Sequence, residues 1–209
     1  MSSEERTAAE PLVLLALTAA ALVASGIGPH DRATWYLEVG PVVIGAVVLA
    51  ATFRRFRLTP LLYRLLFLHA LVLVLGGHYT YARVPLGFWA QDWFDLARNH
   101  YDRLGHFVQG FVPAVLAREL LLRRTPLRPG GWLFVLVVSV CLAFSATYEL
   151  LEWASAVLGG SAADDFLGTQ GDIWDTQWDM FMALLGAIAA QLTLARWHDR
   201  QLARFGHVR

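Results

Sequence analysis

The stretch GTQGDIWDTQWDMFMALLGA, from Gly168 to Ala187, combines the start of a membrane-spanning helix with three carboxylates. Its second half is apolar, whereas Asp172, Asp175 and Asp179 lie in or next to its first half. Asp179 is inside the apolar run, where a charged carboxylate costs about 3 kcal/mol unless something compensates it. The stretch therefore predicts a polar partner or a ligand at the depth of Asp179.

The composition is typical of a membrane protein. Of the 209 residues, 56% are hydrophobic and 16% are charged, whereas soluble domains average about 45–50% apolar and about 25% charged residues. The formal net charge is zero, so no nucleic-acid partner is expected. The single cysteine, Cys141, excludes an intrachain disulfide and a paired-cysteine metal site.

Six segments are long and apolar enough to cross a bilayer, which requires about 20 residues per helix. They cover residues 11–28, 37–53, 60–77, 103–122, 132–153 and 174–195. Because no repeat or linker separates them, we predict one all-α integral membrane domain, 1–209, built as a bundle of six transmembrane helices. The acidic flank of the first segment favours an uncleaved helix over a signal peptide.

Arginine and tryptophan orient the predicted bundle. Arginines are concentrated after the second span, after the fourth span and at the C-terminus, which predicts that both termini are cytoplasmic. In the long outer loop, the segment Pro85–Ala97 places Phe88, Trp89, Trp93 and Phe94 about one helical turn apart. This pattern favours an amphipathic helix on the outer leaflet over a plain connecting loop.

Ionisable side chains lie at the outer ends of the last three spans. Within each span they are three or four residues apart, which places them on one helical face. At about 1.5 Å per residue, they lie at a similar depth, roughly 5–8 Å below the outer boundary. We therefore predict one outward-opening pocket, lined by Asp102, His106, Glu149, Glu152, Asp175 and Asp179.

The predicted pocket holds five carboxylates and one imidazole, so protons, a cation or nearby arginines must compensate their charge. The predicted catalytic residues are Asp102, His106, Glu149, Asp175 and Asp179. The predicted metal ligands are His106, Glu149, Glu152, Asp175 and Asp179. The predicted substrate-binding residues are Arg103, Gln109, His78 and His100. The alternative for the acids is interhelical hydrogen bonding without function.

Two further features fall outside this pocket. His69 lies in the middle of the third span, where we predict a hydrogen-bonded core histidine. The segment from Gly159 to Asp172 is rich in glycine and acids but lacks the spacing of an EF-hand. We predict a tight re-entry loop there, which would cover the pocket.

The motifs resemble two bacterial membrane families. Asp102-Arg103-x-x-His106-Phe107, Glu149-x-x-Glu152 and Asp175-x-x-x-Asp179 resemble the core motifs of the VanZ-like family, in which Lys, Gln and Asn stand where Arg103, Glu152 and Asp179 stand here. The longer stretches HALVLVLGGHYTYARVPLGF, NHYDRLGHFVQGFVPA, YELLEW and ADDFLGTQGDIWDTQWDM are similar to YjdF-type inner-membrane proteins. The second resemblance implies a polytopic inner-membrane protein. The first implies, by analogy, a connection with envelope lipids or cell-wall precursors.

The residues leave three functions open. An enzyme at the outer leaflet would use a divalent cation, with carboxylates suiting Mg or Mn and imidazole also allowing Zn, while Arg103 holds an anionic head group. A proton- or cation-coupled transporter would use the acids as protonation sites. A non-catalytic membrane or assembly module would need them only for binding or stability. In each case the bilayer is a partner, and a lipid or wall-precursor head group is the ligand expected for the enzyme.

Overall fold

A computed structural model describes residues 3–159 and 169–205, with side chains for 9–158 and 169–205. Within these ranges the chain is all-helical and contains no strand, which confirms the all-α part of the predicted fold class. The helices are α1 (Ser3–Ser25), α2 (Arg32–Thr52), α3 (Pro60–Tyr79), α4 (Pro85–Phe94), α5 (Tyr101–Arg124), α6 (Gly131–Gly159) and α7 (Asp175–Leu202).

Among the described residues, four helices are long and apolar enough to cross a membrane. They are α2, α3, α6 and α7, the last continued by a short 3-10 turn to Phe205. α1 contributes a shorter apolar helix, Ala9–Ser25. α5 is polar for its length because its buried face carries charged side chains such as Asp102 and Glu119. The helices thus match the predicted segments, while apolar length alone supports four spans.

Local signals fix where the helices begin. Asp31 precedes α2, and its carboxylate accepts a 2.6 Å hydrogen bond from the Thr34 amide. That hydrogen bond is the main cause of the lowered pKa of Asp31. Thr59 caps α3 in the same way, and Pro60 follows at the first helical position, where its missing N–H costs nothing.

α5 lies at the centre of the packing, in contact with α3, α6 and α7, while α3 also packs against α1 and α2. α5 and α7 meet backbone to backbone. A Cβ on Gly110 would collide with the carbonyl of Ala183, and a Cβ on Gly186 would collide with the carbonyl of Phe107. Small residues at helix contacts allow this close approach in membranes, where apolar burial does not drive association.

The buried core continues below this contact. Its members are small or branched and almost fully buried, including Ala114, Val137, Cys141 and Ala187. Cys141 is a free thiol within this cluster. It is therefore a small apolar filler, as its sequence context predicts.

α4 is the helix predicted in the long outer loop, although it ends at Phe94 rather than at Ala97. Asp95 adopts a left-handed conformation (φ 49°) that stops it. The buried Asn99 ties α4 to the start of α5 by donating a 3.0 Å hydrogen bond to the Val84 carbonyl. Large apolar side chains of α4 remain exposed, among them Trp89, Trp93 and Phe94. Their exposure fits an interfacial helix.

Candidate functional site

The α5–α7 contact brings three ionisable side chains together. Asp102 and His106 lie on α5, Asp179 lies on α7, and all three are buried, with Asp179 only 1% exposed. One ligand atom from each lies within 4.8 Å of the others, a grouping able to hold a metal ion. Because Gly110 and Gly186 lie one and two helical turns below, the backbone contact sets this spacing.

His106 is oriented by its neighbours. Its Nδ1 lies 3.0 Å from Oε1 of Gln109, and an amide oxygen can only accept a hydrogen bond. The proton of the neutral ring is therefore on Nδ1. Nε2, which lies 3.6 Å from Oδ1 of Asp102, keeps its lone pair for a ligand. Gln109, predicted to bind substrate, thus lies behind His106 and orients it.

α6 adds a third wall to this cluster. Oε1 of Glu149 lies 3.7 Å from Nδ1 of His106. Within the described chain, Oε1 of Glu149 and Oδ1 of Asp179 are buried and accept no hydrogen bond. Buried polar atoms in native proteins nearly always have a partner. These two oxygens therefore indicate a place for a proton or a cation.

Two acids beside this cluster, Asp172 and Asp175, form ion pairs with arginines. Arg98 donates to Asp175 at 2.7 Å and to the carbonyl of Thr169 at 2.7 Å. Arg103 donates to Asp172 at 2.7 Å and lies over the ring of Trp178 at 5.0 Å. Asp175 is thus paired with Arg98, and Arg103 with Asp172. These four residues form the rim of the cluster.

Asp172 lies in the turn before α7 and therefore outside the helix that carries Asp175 and Asp179. In that turn its carboxylate accepts a hydrogen bond from the Trp174 amide at 2.9 Å. The predicted covering loop falls mostly on residues 160–168, which lie outside the described residues. The remaining turn is tied to the start of α5, because Gln170 exchanges hydrogen bonds with the backbone of Asn99.

The two histidines predicted to bind substrate occupy different places. Nδ1 of His78 lies 2.8 Å from the carbonyl oxygen of Ser25, which joins α3 to α1. His100 immediately precedes α5, near Arg98 and Arg103. Burial and the positive charge of these two arginines lower the pKa of His100. The structure therefore brings His100, but not His78, to the rim of the cluster.

A large cavity of about 610 Å³ leads away from the cluster. It runs among α1, α2, α3, α5 and α6, and most of its wall is apolar. Its polar end is lined by Glu38, Asp102, His106, Gln109 and Glu152. Glu152 therefore faces the cavity, whereas Glu149, three residues earlier, faces the α5–α7 contact.

Three residues at this polar end were not identified from the sequence. Glu38 on α2 is buried and accepts a long hydrogen bond, 3.4 Å, from the hydroxyl of Tyr148. Tyr81 faces the same carboxylate. The available signal was Glu38 itself, an isolated carboxylate at the start of the second apolar segment.

The middle of the cavity contains His69. The prediction of a hydrogen-bonded core histidine is wrong for Nε2, which is buried and has no hydrogen-bond partner in the described part of the chain. The ring lies among the mostly apolar side chains that line the cavity.

The chain belongs to a family described as "Predicted membrane protein (DUF2238)", whose sequence model matches residues 10–200. It is 58% identical over 185 residues to the inner membrane protein YjdF of Escherichia coli (strain K12), an alignment that covers 88% of each chain. No solved structure matches. The resemblance to YjdF-type proteins and the inner-membrane location are thus confirmed, while the resemblance to the VanZ-like family stays a prediction.

Proposed function

We propose that the chain crosses the inner membrane six times, with both termini in the cytoplasm. Besides the four apolar helices, α1 has an apolar segment and α5 is shielded by α3, α6 and α7. A helix surrounded by others can carry charge at membrane depth without facing lipid. This topology puts Asp102, His106 and Asp179 at the outer end of the bundle.

We propose that these three residues bind a divalent cation and that the protein acts on a phosphate-bearing head group of an envelope lipid. The observation that carries the proposal is the buried cluster itself, in which three ligand atoms lie within 4.8 Å and Oδ1 of Asp179 has no partner among the described residues. Carboxylates with one imidazole suit Mg or Mn and also allow Zn.

The charge balance explains why a cation belongs there. Arg98 and Arg103 are paired with Asp175 and Asp172 at the rim. Among the described residues, Asp102 and Glu149 have His106 as their ion-pair partner, while Arg98 and Arg103 act on Asp102 from a longer distance. Ionised carboxylates at such close range repel one another and any phosphate. A divalent cation between them would compensate the carboxylates and bind a phosphate oxygen directly.

The cavity supports a lipid rather than a water-soluble ligand. Leu12, Ile44, Phe144 and Leu151 line it and are large apolar side chains that remain at least half exposed, so the cavity is open rather than enclosed. Its wall therefore opens sideways between α1, α2 and α6, where the acyl chains of the bilayer lie. A chain could enter by this opening while its head group reaches Asp102.

The roles in catalysis follow from position. A cation at Asp102, His106 and Asp179 would polarise the phosphate. Glu149, with an unpartnered oxygen beside His106, is placed to accept a proton from the attacking nucleophile. Gln109 keeps His106 in the tautomer that offers Nε2 to the cation.

The test is metal binding by the purified full chain. We expect about one Mn²⁺ per chain after gel filtration, and a loss of affinity of roughly 100-fold or more in Asp179→Asn. Asp199→Asn, at the other end of α7, is the matched control and should bind normally. Absence of bound Mg, Mn or Zn, together with a melting temperature that chelators leave unchanged, would contradict the proposal.

A second candidate function is proton-coupled transport, which His69 favours. Its unpartnered Nε2 lies in the same cavity as Asp102 and Glu152, so ionisable groups continue from the outer end towards the middle of the membrane. Proton flux in liposomes that disappears in Glu149→Gln and in His69→Gln would support transport. Intact flux in both variants, or none in the wild type, would exclude it.

A further inference from the structure

We propose that the polar end of the cavity is an ammonium subsite, in which Glu38, Tyr81 and Tyr148 bind the primary amine of a zwitterionic phospholipid head group. The phosphate of the same head group would lie at the cation centre beside Asp102. The phosphate half of this inference rests on the proposed function, whereas the amine half depends on the cavity alone.

Glu38 is the residue that points to an amine. It is 4% exposed, although it sits on a helix whose other cavity-lining side chains, such as Val42 and Leu49, are apolar. Its hydrogen bond from Tyr148 is long, 3.4 Å. A buried carboxylate supported only by hydroxyl groups has acceptor capacity left for a charged donor.

The charge of the cavity wall favours a cationic group. Glu38, Asp102 and Glu152 all line the cavity, and no arginine is among its lining residues in the described part of the chain. Glu38 and Asp102 interact electrostatically, so the subsite and the cation centre are neighbours. These carboxylates would repel an anionic head group that carries no positive group.

The chemistry of the subsite selects a primary amine over a quaternary one. A primary ammonium has three N–H donors, and the Glu38 carboxylate and the tyrosine hydroxyls accept hydrogen bonds. A trimethylammonium group has no N–H donor and gains none of these hydrogen bonds. The ligand class is therefore an ethanolamine-type phospholipid, held by its amine and its phosphate at two adjacent places.

The experiment is lipid competition on the full chain. Wild-type protein is reconstituted with equal amounts of phosphatidylethanolamine, phosphatidylcholine and phosphatidylglycerol, then extracted gently, and the retained lipids are counted by native mass spectrometry. We expect phosphatidylethanolamine to exceed each of the others by about tenfold, the strength of a hydrogen bond to a charged group. Glu38→Gln should remove this preference, while Glu10→Gln, which changes a carboxylate on α1 paired with Arg64, should keep it.

Mn²⁺ binding on the same samples separates this inference from the proposed function. Glu38→Gln should lose the lipid preference and keep Mn²⁺, whereas Asp179→Asn should lose Mn²⁺ and keep the preference. A preference that depends on Glu38 without any Mn²⁺ binding would overturn the proposed function and leave the amine subsite standing. A wild type that shows no preference for phosphatidylethanolamine overturns the subsite. If Glu38→Gln fails to fold, Tyr148→Phe must weaken the preference, and an unchanged preference overturns the subsite.

Discussion

Gly110 lies directly against the backbone carbonyl of Ala183, with no room for a side chain between α5 and α7. This contact determines how far Asp102 and His106 lie from Asp179, because these residues project from the same two helices one to two turns above it. Packing and the site are therefore coupled: a change that separates the helices also opens the carboxylate–histidine cluster.

We expect Gly110→Ala to destabilise the protein by about 1–3 kcal/mol, the usual cost of an overpacked contact. Thermal unfolding in detergent measures the loss. Gly40→Ala on α2 is the matched control, because a Cβ there meets no atom within 4 Å and alanine favours a helix by about 1 kcal/mol. A Gly110→Ala variant as stable as Gly40→Ala would show that the helices do not touch here.

The ion pair of Arg98 and Asp175 should matter more than an exposed one. Their side chains are 12% and 7% exposed, so Arg98→Gln leaves a buried carboxylate uncompensated at a cost of about 3–5 kcal/mol. The pair of Arg64 and Glu10 is 52% and 39% exposed, and Arg64→Gln should cost at most about 1 kcal/mol. Equal losses in the two variants, measured by thermal unfolding, would contradict the burial of the Arg98 pair.

The sequence predicted helix positions well, because apolar length and capping residues act locally. It also predicted that Asp102 and His106, four residues apart on one helical face, line the same pocket as Asp179. It could not predict that Glu149 and Glu152 face different surroundings. These residues differ by about 60° around α6, and the boundary between the α7 contact and the cavity passes between them.

Other features depend on tertiary geometry that no local pattern encodes. Arg98 reaches Asp175 only because the turn at Gln170 is tied to Asn99. Glu38 reaches the polar end of the cavity only because of the rotation of α2 in the bundle. A single carboxylate carries no spacing from which that rotation can be predicted.

At the cytoplasmic end of the proposed topology, Glu119 is a buried structural centre. Its carboxylate accepts hydrogen bonds from the amide and hydroxyl of Thr59, from Arg123 at 2.6 Å and from His198 at 3.0 Å. Nδ1 of His198 faces Arg118, which can only donate. His198 is therefore protonated on Nε2 and donates to Glu119, which joins α3, α5 and α7.

We expect Glu119→Gln to cost about 3–5 kcal/mol, because a glutamine presents an amide NH₂ to donors that need an acceptor. Asp199→Asn should cost less, because its side chain is 33% exposed and asparagine keeps an oxygen that accepts a hydrogen bond from Arg118. Mn²⁺ binding of whatever folded Glu119→Gln protein remains should match that of the wild type, since the site lies at the other end of the helices. A Glu119→Gln variant with wild-type stability would contradict a structural role.

His100 should make stability depend on pH at the outer end. Burial and the charges of Arg103 and Arg98 lower its pKa below 6.5, so the folded protein prefers the neutral ring and the unfolded chain binds more protons just below that pH. The contribution of the neutral His100 ring to stability is therefore fully present above pH 6.5, and it is lost as the pH falls through the folded-state pKa. His100→Gln should remove this part, so that unfolding temperatures measured from about pH 7 to about pH 5 fall less steeply than in the wild type. Identical slopes for the two proteins would mean that protonation of His100 costs the folded state nothing.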